Sequence, residues 1–533
     1  MSMATPIHDL ASASMMPGEN LSAGYQNASF PWTSMSPAVL HAKPEAGADF
    51  VISESSRILI DSENLRPLAT RLAAGLAGAA GLGQPIAVTL LPSALPLQGD
   101  VSLQLSAPDT SDIPIPVKGE SESYRIDISS NVLVSAQTPE AMSRALTTLH
   151  KAVRVSTTLE SGVVIDAPMH AERSVMIDMG RWYFSPDWVI NLIQEMAWNQ
   201  LNTLHLHLTD NEGVRVTFPS CADISSSDAW SAEELKRVLD TAASYHIEVI
   251  PELDMPGHMD WILRDRPEFQ LRLSNGTVVS KALDFSLCAA RSFITTLVSD
   301  LFTMFPRSRR IHLGADEFFL SPITHNNTPQ LAKYAREMSG NPNASSEDAV
   351  RYFINDMASL VQDRGKIARV WNDGAVRHNP VIAVDKKVEI ECWSLWGRLR
   401  GEMTAQDLIN AGHNVINAHG DFYFIINKNW DNLLHDKHSP RGIYDTWQAN
   451  HFMDEAGGAI SDVPADSPFL VGAGIQFWIE VPSFSSPEEA WNQLVPWLLP
   501  LGQRTWDSPN GATEYKSLSL IARAVAHPPP EPW

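Results

Sequence analysis

Two neighbouring carboxylates, Asp316 and Glu317, follow directly after the apolar run Ile311-His-Leu-Gly-Ala315. Most charged pairs simply face water. The chain has another Asp-Glu pair at Asp454, which precedes Ala-Gly-Gly and is typical of a solvated loop. At the end of a buried strand, however, two adjacent acids could carry out chemistry.

The spacing of Asp316 and Glu317 restricts what that chemistry can be. A retaining glycosidase that uses its own nucleophile sets two acids about 5.5 Å apart across the bond, usually from different strands. Neighbouring residues at one strand end project in divergent directions and do not straddle a bond in this way. They fit another division of labour, in which one acid protonates the leaving oxygen. The other acid then holds in place a group of the substrate that acts as the nucleophile.

Acidic, basic and aromatic side chains also recur where other predicted strands end. Enzymes built as (β/α)8 barrels place their chemistry at these carboxyl ends. The clustering indicates an acid-lined pocket with aromatic walls, a surface suited to a sugar ring. The residues at these ends are Asp178, Arg181, His205, His207, Asp210, Glu252, Asp254, His258, Trp371, Asn372, Asp373, Trp393, Trp396, Asn417, Tyr423, Trp478 and Glu480.

Several of these residues have a purely structural interpretation as well. His205 and His207 alternate with apolar residues along a strand, as hydrogen-bonded core histidines do. Asp178 could simply pair with Arg181, and Glu252 could only support its neighbours. The sequence has no HExxH motif or tight ligand triad, so we predict no metal site. It also lacks a G-x-S-x-G turn, which argues against a serine hydrolase.

Short apolar strands alternate with amphipathic helices from Arg173 onward, which favours a (β/α)8 barrel. An open doubly wound sheet fits less well, because Met179-Gly-Arg-Trp182 is not a glycine-rich phosphate turn. The predicted strands are Ser174–Asp178, Asn202–Leu208, Ile247–Glu252, Arg310–Ala315, Ile367–Trp371, Val388–Trp393, His413–Asn417 and Gly472–Trp478. Predicted helices include Pro186–Asn199, Ala232–Tyr245, Glu347–Arg364 and Pro487–Leu499.

A smaller α+β domain is predicted ahead of the barrel. Its predicted strands are Pro85–Leu91, Val101–Leu105, Ser123–Ile128 and Asn131–Ala136, and its predicted helices are 69–82 and Pro139–Val153. The first residues are rich in Ser, Met and Ala without periodicity. The predicted organisation is an extended lead-in over 1–45, an α+β domain over 46–165 and a (β/α)8 catalytic barrel over 166–533.

The composition argues against several classes of protein. The chain has 533 residues, with 39 Lys and Arg against 62 Asp and Glu, and lacks the basic stripe of a nucleic-acid binder. Its cysteines, Cys221, Cys288 and Cys392, lie too far apart for a disulfide framework or a zinc site. We predict no membrane association, because no apolar run approaches the ~18 residues of a span. No secretion signal is visible, which predicts a cytoplasmic location or leaderless export.

Six motifs resemble, in order, the signatures of the glycoside hydrolase family 20 β-N-acetylhexosaminidases. They span roughly residues 165–505. The stretch ahead of them, with Glu122-Ser-Tyr-Arg-Ile-Asp127, is similar to the α+β domain that precedes the family's barrel. The six motifs are Arg173-Ser-Val-Met-Ile-Asp-Met-Gly-Arg181, Met196-Ala-Trp-Asn-Gln-Leu-Asn-Thr-Leu-His-Leu-His-Leu-Thr-Asp210, Pro251-Glu-Leu-Asp-Met-Pro-Gly-His258, His312-Leu-Gly-Ala-Asp-Glu317, Trp371-Asn-Asp-Gly374 and Phe477-Trp-Ile-Glu480.

The resemblance implies catalytic roles for the adjacent acids. Glu317 matches the family's general acid, which later acts as a base. Asp316 matches the acid that hydrogen-bonds the acetamido N–H and stabilises an oxazolinium-like intermediate. Low exposure to solvent and a neighbouring carboxylate are expected to keep Glu317 protonated near neutral pH. Asp254 and His258 match residues that support this acid, and we also predict that His258 contacts the substrate.

The resemblance also implies how the sugar is held. Residues that match the contacts to ring hydroxyls are Arg181, Asp210 and Glu480. The residues that match the walls of the acetamido pocket are Trp371, Trp393 and Trp478, and Tyr423 matches the tyrosine that hydrogen-bonds the acetamido carbonyl. Apolar walls would confine the methyl group and hold the carbonyl oxygen beneath the anomeric carbon.

The sequence departs from the family pattern at two positions. An Asp or Asn often lies two residues after the tyrosine and contacts the outer hydroxyl of the ring, whereas Tyr423 is followed by Phe-Ile425. Many members carry an aromatic-Arg pair after the acid matched by Asp210, and Gly213-Val-Arg215 keeps only the Arg. The change at Ile425 leaves the choice between the gluco and galacto sugars open.

The function predicted from these matches is exo-acting, retaining hydrolysis of terminal β-linked N-acetylglucosamine or N-acetylgalactosamine. The expected substrates are glycans or chito-oligosaccharides, and no metal or organic cofactor is expected. One alternative is a lacto-N-biosidase-like variant that releases a disaccharide; the other is a non-catalytic sugar-binding relative. A family 84-like or family 3-like enzyme fits the order of the motifs poorly. A homodimer stays open, because no segment identifies a contact.

Overall fold

Eight parallel strands close into a barrel, because the first strand pairs with both the second and the eighth. The computed structural model describes residues 32, 35–91, 95–111, 113–393, 403–418, 424–425, 439–453, 460–480, 485–509, 511, 515–518, 525 and 528. All eight predicted barrel strands are confirmed, with bounds shifted by a few residues. They are Glu172–Asp178, Thr203–His207, Glu248–Met255, Arg310–Gly314, Ile367–Trp371, Glu389–Cys392, Val415–Asn417 and Leu470–Phe477.

The helices of the barrel begin where the sequence provides caps. Ser185 accepts a hydrogen bond from the N–H of Trp188 at the start of the first helix, and Ser231 forms a capping box with Glu234 at the second. The described helices of this domain are Pro186–Trp198, Ala232–Ser244, Asp260–Leu263, Cys288–Met304, Pro329–Ser339, Ser346–Gln362, Ala405–Ala411, Pro440–Thr446, Pro487–Leu494 and Leu498–Trp506. None of the helices in this part of the chain has both the length and the apolar character that a membrane crossing needs.

The helix predicted over Pro487–Leu499 is wrong at its C-terminal end. It stops at Leu494, a 3-10 turn covers Val495–Trp497, and a separate helix follows. Pro496 lies in that turn. Proline lacks the N–H that continues a helix and collides with the preceding turn, which explains the break.

The α+β domain has a seven-stranded sheet with two helices, Arg66–Ala80 and Pro139–Val155, that pack against each other. The strands are His41–Pro44, Arg57–Ile60, Ala87–Leu90, Val101–Leu105, Tyr124–Ile128, Val132–Ala136 and Gly162–Asp166. The sequence patterns did not reveal Arg57–Ile60 and Gly162–Asp166, because these short runs are apolar on both faces and do not alternate. The first strand lies within the predicted lead-in and pairs antiparallel with the last.

Short paired strands complete the described structure. They are Phe50–Val51 with Thr158–Leu159, Thr209–Asp210 with Gly213–Val214, Gln270–Arg272 with Val278–Leu283, and His451–Met453 with Ile460–Asp462. The strand Phe424–Ile425 pairs with the end of the eighth barrel strand. Its position beyond Val415–Asn417 extends the seventh strand toward the carboxyl rim.

The lower interior of the barrel contains charged side chains where many barrels have aliphatic ones. Arg369 on the fifth strand bonds both carboxylate oxygens of Glu172 at 2.6 and 2.7 Å and donates to Glu389 at 2.6 Å. Burial alone would raise the pKa of Glu172, but Arg369 lowers it to about 2. These bonds tie the first, fifth and sixth strands together beneath the carboxyl rim.

A buried ion-pair cluster joins the two domains. Glu122 of the α+β domain accepts hydrogen bonds from Arg173 on the first barrel strand at 2.7 and 2.9 Å. It also accepts one at 2.7 Å from Arg144 of its own domain. Burial would raise the pKa of Glu122, but Arg173 and Arg144 together lower it to about 2. Because a buried charge is stable only when it is paired, each partner depends on the others.

Replacing Glu122 by Gln is expected to lower the free energy of unfolding by about 3 kcal/mol at pH 7, because each pKa unit is worth about 1.4 kcal/mol. The folded pKa lies below the unfolded value of 4.5, so the carboxylate stabilises the fold above pH 4.5. Its contribution disappears as the pH falls toward 2. Urea unfolding of both proteins between pH 7 and pH 3 would measure this difference.

The matched control is Glu63→Gln, which removes an exposed carboxylate paired with Arg66. Exposed ion pairs contribute little, so this variant is expected to unfold like the parent protein. A loss for Glu122→Gln that is no larger than the control, or that does not change with pH, would contradict the prediction.

Candidate active site

The fourth barrel strand ends in a backbone turn that presents the two adjacent acids at the carboxyl rim. Gly314, Ala315 and Glu317 have φ angles of +67°, +77° and +51°. A side chain on Gly314 would collide with Asp254. Left-handed conformations at non-glycine residues cost about 1–3 kcal/mol each, so surrounding contacts must hold this segment. The Asp316 side chain is 12% exposed and that of Glu317 is 36% exposed.

His258 lies among the acids. Its Nε2 is 3.5 Å from the Glu317 carboxylate and 3.6 Å from that of Asp316, while its Nδ1 is 3.2 Å from Asp210. Burial would lower the pKa of His258, but the charges of Asp316, Asp210 and Asp254 raise it well above its usual value. The imidazole is therefore a cation in this arrangement.

This cation reverses the protonation expected for Glu317. The interaction with His258 lowers the pKa of Glu317 below its usual value, against the opposing effect of burial. The expectation that low exposure and a neighbouring carboxylate keep Glu317 protonated is therefore wrong for the ligand-free structure. The physical reason is the hydrogen bond and charge of His258, whose Nε2 lies 3.5 Å from the Glu317 carboxylate.

Two other acids close to His258, Asp316 and Asp254, are shifted in the opposite direction. Burial raises the pKa of Asp316, and the charge of Glu317 raises it further, while His258 opposes both. Burial and the charge of Asp316 raise the pKa of Asp254 well above its usual value. Both shifts favour the neutral form of these carboxyl groups, as expected for like charges that share a buried site.

A second buried cation lies behind Asp210. The two ring nitrogens of His207 lie 2.7 Å from Glu252 and 2.8 Å from Asp210. Since both neighbours accept hydrogen bonds, both nitrogens donate and the ring is an imidazolium. Burial would lower the pKa of His207, but Glu252 and Asp210 raise it well above its usual value. His207 is thus part of the polar support of the site.

Arg181 links the first two strands of the barrel at the rim. Its guanidinium lies 2.8 Å from Asp210 and 3.0 Å from Asp178. The pairing of Asp178 with Arg181 considered from the sequence is therefore present, and Asp178 also accepts a hydrogen bond from the N–H of Ile479 at 3.0 Å. Burial raises the pKa of Glu480, the nearby Arg181 opposes this, and the charge of Glu317 adds to it.

The predicted tryptophans pack together next to these acids. Trp371 and Trp478 have ring centroids 5.8 Å apart, and Trp393 packs against the same cluster with Met176 and Ala418. Trp371 is buried and donates its indole N–H to Glu252 at 2.8 Å. The Arg181 guanidinium lies 5.5 Å from the ring of Trp478. The cluster forms an apolar surface bordered by charged groups.

The structure thus brings together most of the residues predicted for the site. They are Arg181, Asp210, Asp254, His258, Asp316, Glu317, Trp371, Trp393, Trp478 and Glu480, and the roles assigned to them stay predictions. Tyr423 and Trp396 lie outside the described residues, and so does the side chain of Ile425. The predicted contact of Tyr423 with a substrate carbonyl therefore also stays a prediction.

Two supporting residues, His207 and Asp373, had no catalytic or binding role in the sequence-based prediction, and Glu252 was considered only as a support for its neighbours. The alternation of two histidines along one strand and the acid in Trp371-Asn-Asp-Gly374 were the available signals. Neither signal identifies a partner, because the contacts join residues that are distant in sequence. Asp373, for example, bonds the backbone of Glu317 at 2.8 Å.

Several triplets in the site could geometrically hold a metal ion. The groups of Asp210, Asp254 and His258, and of His258, Asp316 and Glu317, each bring three ligand atoms within 4.8 Å of one another. These side chains already neutralise one another through the charge of His258. That no metal takes part stays a prediction.

Comparison with known proteins agrees with the sequence motifs. The model of the glycosyl hydrolase family 20 catalytic domain matches residues 170–509, and that of domain 2 of the same family matches residues 33–167. The chain resembles the GH20 β-N-acetylhexosaminidase from Streptomyces coelicolor A3(2), with a TM-score of 0.70 at 21% identity. That alignment covers 94% of this chain and 99% of the other, and it supports the fold.

Two curated relatives align with much of this chain. A lacto-N-biosidase of Bifidobacterium bifidum is 27% identical over 374 residues, which is 70% of this chain and 31% of the relative. A β-N-acetylhexosaminidase of Cellulomonas fimi is 28% identical over 349 residues, which is 61% of this chain and 63% of the relative. The chain spans less than two thirds of the length of these relatives. Because the catalytic-domain model alone matches more than half of the residues, the chain belongs to glycosyl hydrolase family 20.

Proposed function

We propose that the protein is an exo-acting β-N-acetylhexosaminidase that releases terminal β-linked N-acetylglucosamine or N-acetylgalactosamine with retention of configuration. One observation carries this proposal: the adjacent acids Asp316 and Glu317 lie against His258 and next to a cluster of tryptophans. Membership of the family supports the same activity, as does the name of the relative from Cellulomonas fimi.

In the proposed reaction the substrate supplies its own nucleophile. The acetamido carbonyl oxygen attacks the anomeric carbon, the glycosidic bond breaks, and Glu317 gives its proton to the leaving oxygen. Asp316 accepts the acetamido N–H and stabilises the positive charge of the oxazolinium-type intermediate. Glu317, now a carboxylate, then takes a proton from the water that opens this intermediate. Two displacements at one carbon retain its configuration.

The proton that Glu317 must deliver has a source within the site. The neighbouring carboxylates raise the pKa of His258, whose Nε2 is 3.5 Å from the Glu317 carboxylate, so the imidazolium can supply this proton. A bound sugar would exclude water from Glu317, and desolvation favours the neutral acid. Transfer from the imidazolium to Glu317 would then neutralise both groups as the substrate enters.

The ring of the sugar would be held at the opposite side of the pocket. Arg181 and Asp210 form a close ion pair at the rim, and Glu480 lies near them. These groups can donate to and accept from vicinal hydroxyls. The tryptophans offer apolar faces to the acetamido methyl group and to the ring, so a glucoside without that group would bind poorly and lack the nucleophile.

The second candidate is release of a disaccharide such as lacto-N-biose. The relative from Bifidobacterium bifidum favours it, since it is a lacto-N-biosidase that aligns over 70% of this chain. Ile425 keeps this alternative open, because it stands where family members often carry an Asp or Asn that contacts the outer hydroxyl of the ring. A non-catalytic relative is the third reading, and the presence of both acids argues against it.

The test is the ratio of hydrolysis rates on 4-nitrophenyl β-N-acetylglucosaminide and 4-nitrophenyl β-glucoside. We expect turnover of the acetamido sugar and no detectable turnover of the glucoside, since only the former carries the internal nucleophile. The 4-nitrophenyl glycosides of N-acetylgalactosamine and lacto-N-biose complete the panel, with mass spectrometry of the released sugar.

The outcomes distinguish the hexosaminidase from the disaccharide-releasing and the non-catalytic alternatives. Comparable rates on the glucoside would contradict substrate assistance. Release of an intact disaccharide without release of N-acetylglucosamine would support the lacto-N-biosidase-like alternative. Binding of these sugars without turnover of any of them would identify a sugar-binding relative.

A further inference from the structure

Asp373 connects the general acid to the wall of the acetamido pocket. It follows the fifth barrel strand, two residues after Trp371. One carboxylate oxygen accepts the backbone N–H of Glu317 at 2.8 Å, and the other accepts the indole N–H of Trp393 at 3.0 Å. A single side chain therefore holds both the peptide that carries the acid and one of the pocket tryptophans.

The peptide that Asp373 holds needs such a contact. Glu317 has a φ angle of +51°, a conformation that is unfavourable for a residue with a side chain. The segments after the fourth and fifth strands are also in close contact, because a side chain on Gly374 would collide with the carbonyl oxygen of Ala315. The Trp371–Gly374 segment thus supports the strained turn from one side.

We propose that Asp373 is a positioning residue that fixes the carboxyl group of Glu317 relative to the acetamido pocket. This inference rests on the proposed function, since it assigns Glu317 as the general acid. Both carboxylate oxygens of Asp373 already accept an N–H group. Asp373 acts through the backbone of Glu317 and the indole of Trp393.

The electrostatics of Asp373 argue against a role in turn stability alone. Burial and the charge of Asp316 raise the pKa of Asp373 to about 7, while the two N–H groups oppose this rise. A neutral acceptor would stabilise a turn without the desolvation of a buried carboxylate. Two carboxylate oxygens at fixed separation, however, can accept from two donors at once. An amide cannot, because its nitrogen has no acceptor.

The decisive variant is Asp373→Asn, which keeps the shape and loses one acceptor. Glu317 or Trp393 then faces an N–H group, and we expect the acid to move from its position. Displacements of about 1 Å can cost about 10²-fold in rate. We expect kcat/KM for N,N′-diacetylchitobiose to fall by about this factor, with little change for 4-nitrophenyl β-N-acetylglucosaminide, whose leaving group does not need the proton.

Two further variants separate this role from general damage. Gly374→Ala pushes the same segment away from Ala315 without removing any hydrogen-bonding group. It should therefore also lower kcat/KM for chitobiose much more than kcat/KM for the nitrophenyl glycoside. The double variant Asp373→Asn/Glu317→Gln should be no slower on chitobiose than Glu317→Gln alone, because the displaced group is already missing. A crystal structure of Asp373→Asn should show Glu317 outside the left-handed region.

The matched control is Asp348→Asn. Asp348 is buried and accepts the backbone N–H groups of Ser345 and Ile382, but it belongs to the capping box of the helix Ser346–Gln362 and, within the described residues, has no contact with Glu317 or Trp393. This control should lower the melting temperature without changing the ratio of the two rates. If Asp373→Asn does not fold, Gly374→Ala decides the question by the same ratio.

The results distinguish a failure of the positioning role of Asp373 from a failure of the proposed function. Equal losses on both substrates, or an additive loss in the double variant, would overturn the positioning role of Asp373 while the proposed function stands. An unchanged φ angle of Glu317 in the variant structure would overturn it as well. Absence of turnover by the parent protein on both substrates would instead overturn the proposed function, and the inference with it.

Discussion

Glu317→Gln is expected to lower kcat/KM for N,N′-diacetylchitobiose by about 10²–10⁴-fold, the usual contribution of general acid catalysis. The loss for 4-nitrophenyl β-N-acetylglucosaminide is expected to be much smaller. The sugar leaving group must receive a proton as the bond breaks, whereas nitrophenolate is stable as an anion. Because kcat/KM reports the steps up to bond cleavage, measuring it on both substrates isolates the acid role from the later role as base.

The same isosteric change at Glu234 provides a control for Glu317→Gln. Glu234 belongs to the capping box of the helix Ala232–Ser244, so its replacement should leave the ratio of the two rates unchanged. Equal losses on both substrates for Glu317→Gln would count against the assignment of Glu317 as general acid. They would indicate a role of Glu317 in substrate binding or in an interaction that both substrates need before bond cleavage.

Asp316→Asn is expected to lower kcat/KM by about 10²–10³-fold on both substrates alike, the loss typical of removing one group that stabilises developing charge. The intermediate carries a positive charge whatever the leaving group is, and an amide offers no negative charge to stabilise it. The amide nitrogen also cannot accept the acetamido N–H. Steady-state kinetics on chitobiose and on the nitrophenyl glycoside would measure both losses.

The contrast between the two variants is the stronger test. Asp316→Asn could lower kcat/KM much more for chitobiose than for the nitrophenyl glycoside, as Glu317→Gln is expected to do. That result would mean that Asp316 acts through the acid and does not hold the acetamido group. An unaffected rate on either substrate would remove Asp316 from the mechanism. Asp348→Asn again serves as the control for a buried Asp that lies outside the site.

The protonation state of the site explains why single substitutions should have large effects. His258 and His207 each lie between carboxylates, which raise the pKa of both rings. Asp210 contacts both of them as well as Arg181. Removing one charge therefore alters the pKa of several others, because buried charges interact strongly through the low dielectric of the interior. Kinetic effects at this site are expected to be non-additive.

Much of the fold follows from local sequence patterns. The eight barrel strands were predicted because short apolar runs recur between stretches of helical spacing, and both periods are local properties of the chain. Capped starts at Ser185 and Ser231 explain why the first two barrel helices were found within a residue or two. Strands without alternation, such as Arg57–Ile60, and the helix break at Pro496 were missed because their signals are short.

The adjacent acids and the ordered motifs were visible in the sequence, so it determined the family, the barrel and the residues at its carboxyl rim. Only the tertiary structure decided how those residues interact. The contacts of His258 with Asp210 and Glu317, of His207 with Glu252, and of Asp373 with Glu317 all join residues from the ends of different strands. Periodicity is set by neighbours along the chain, whereas pKa values and hydrogen bonds depend on distance and burial, which exist only after the barrel has closed.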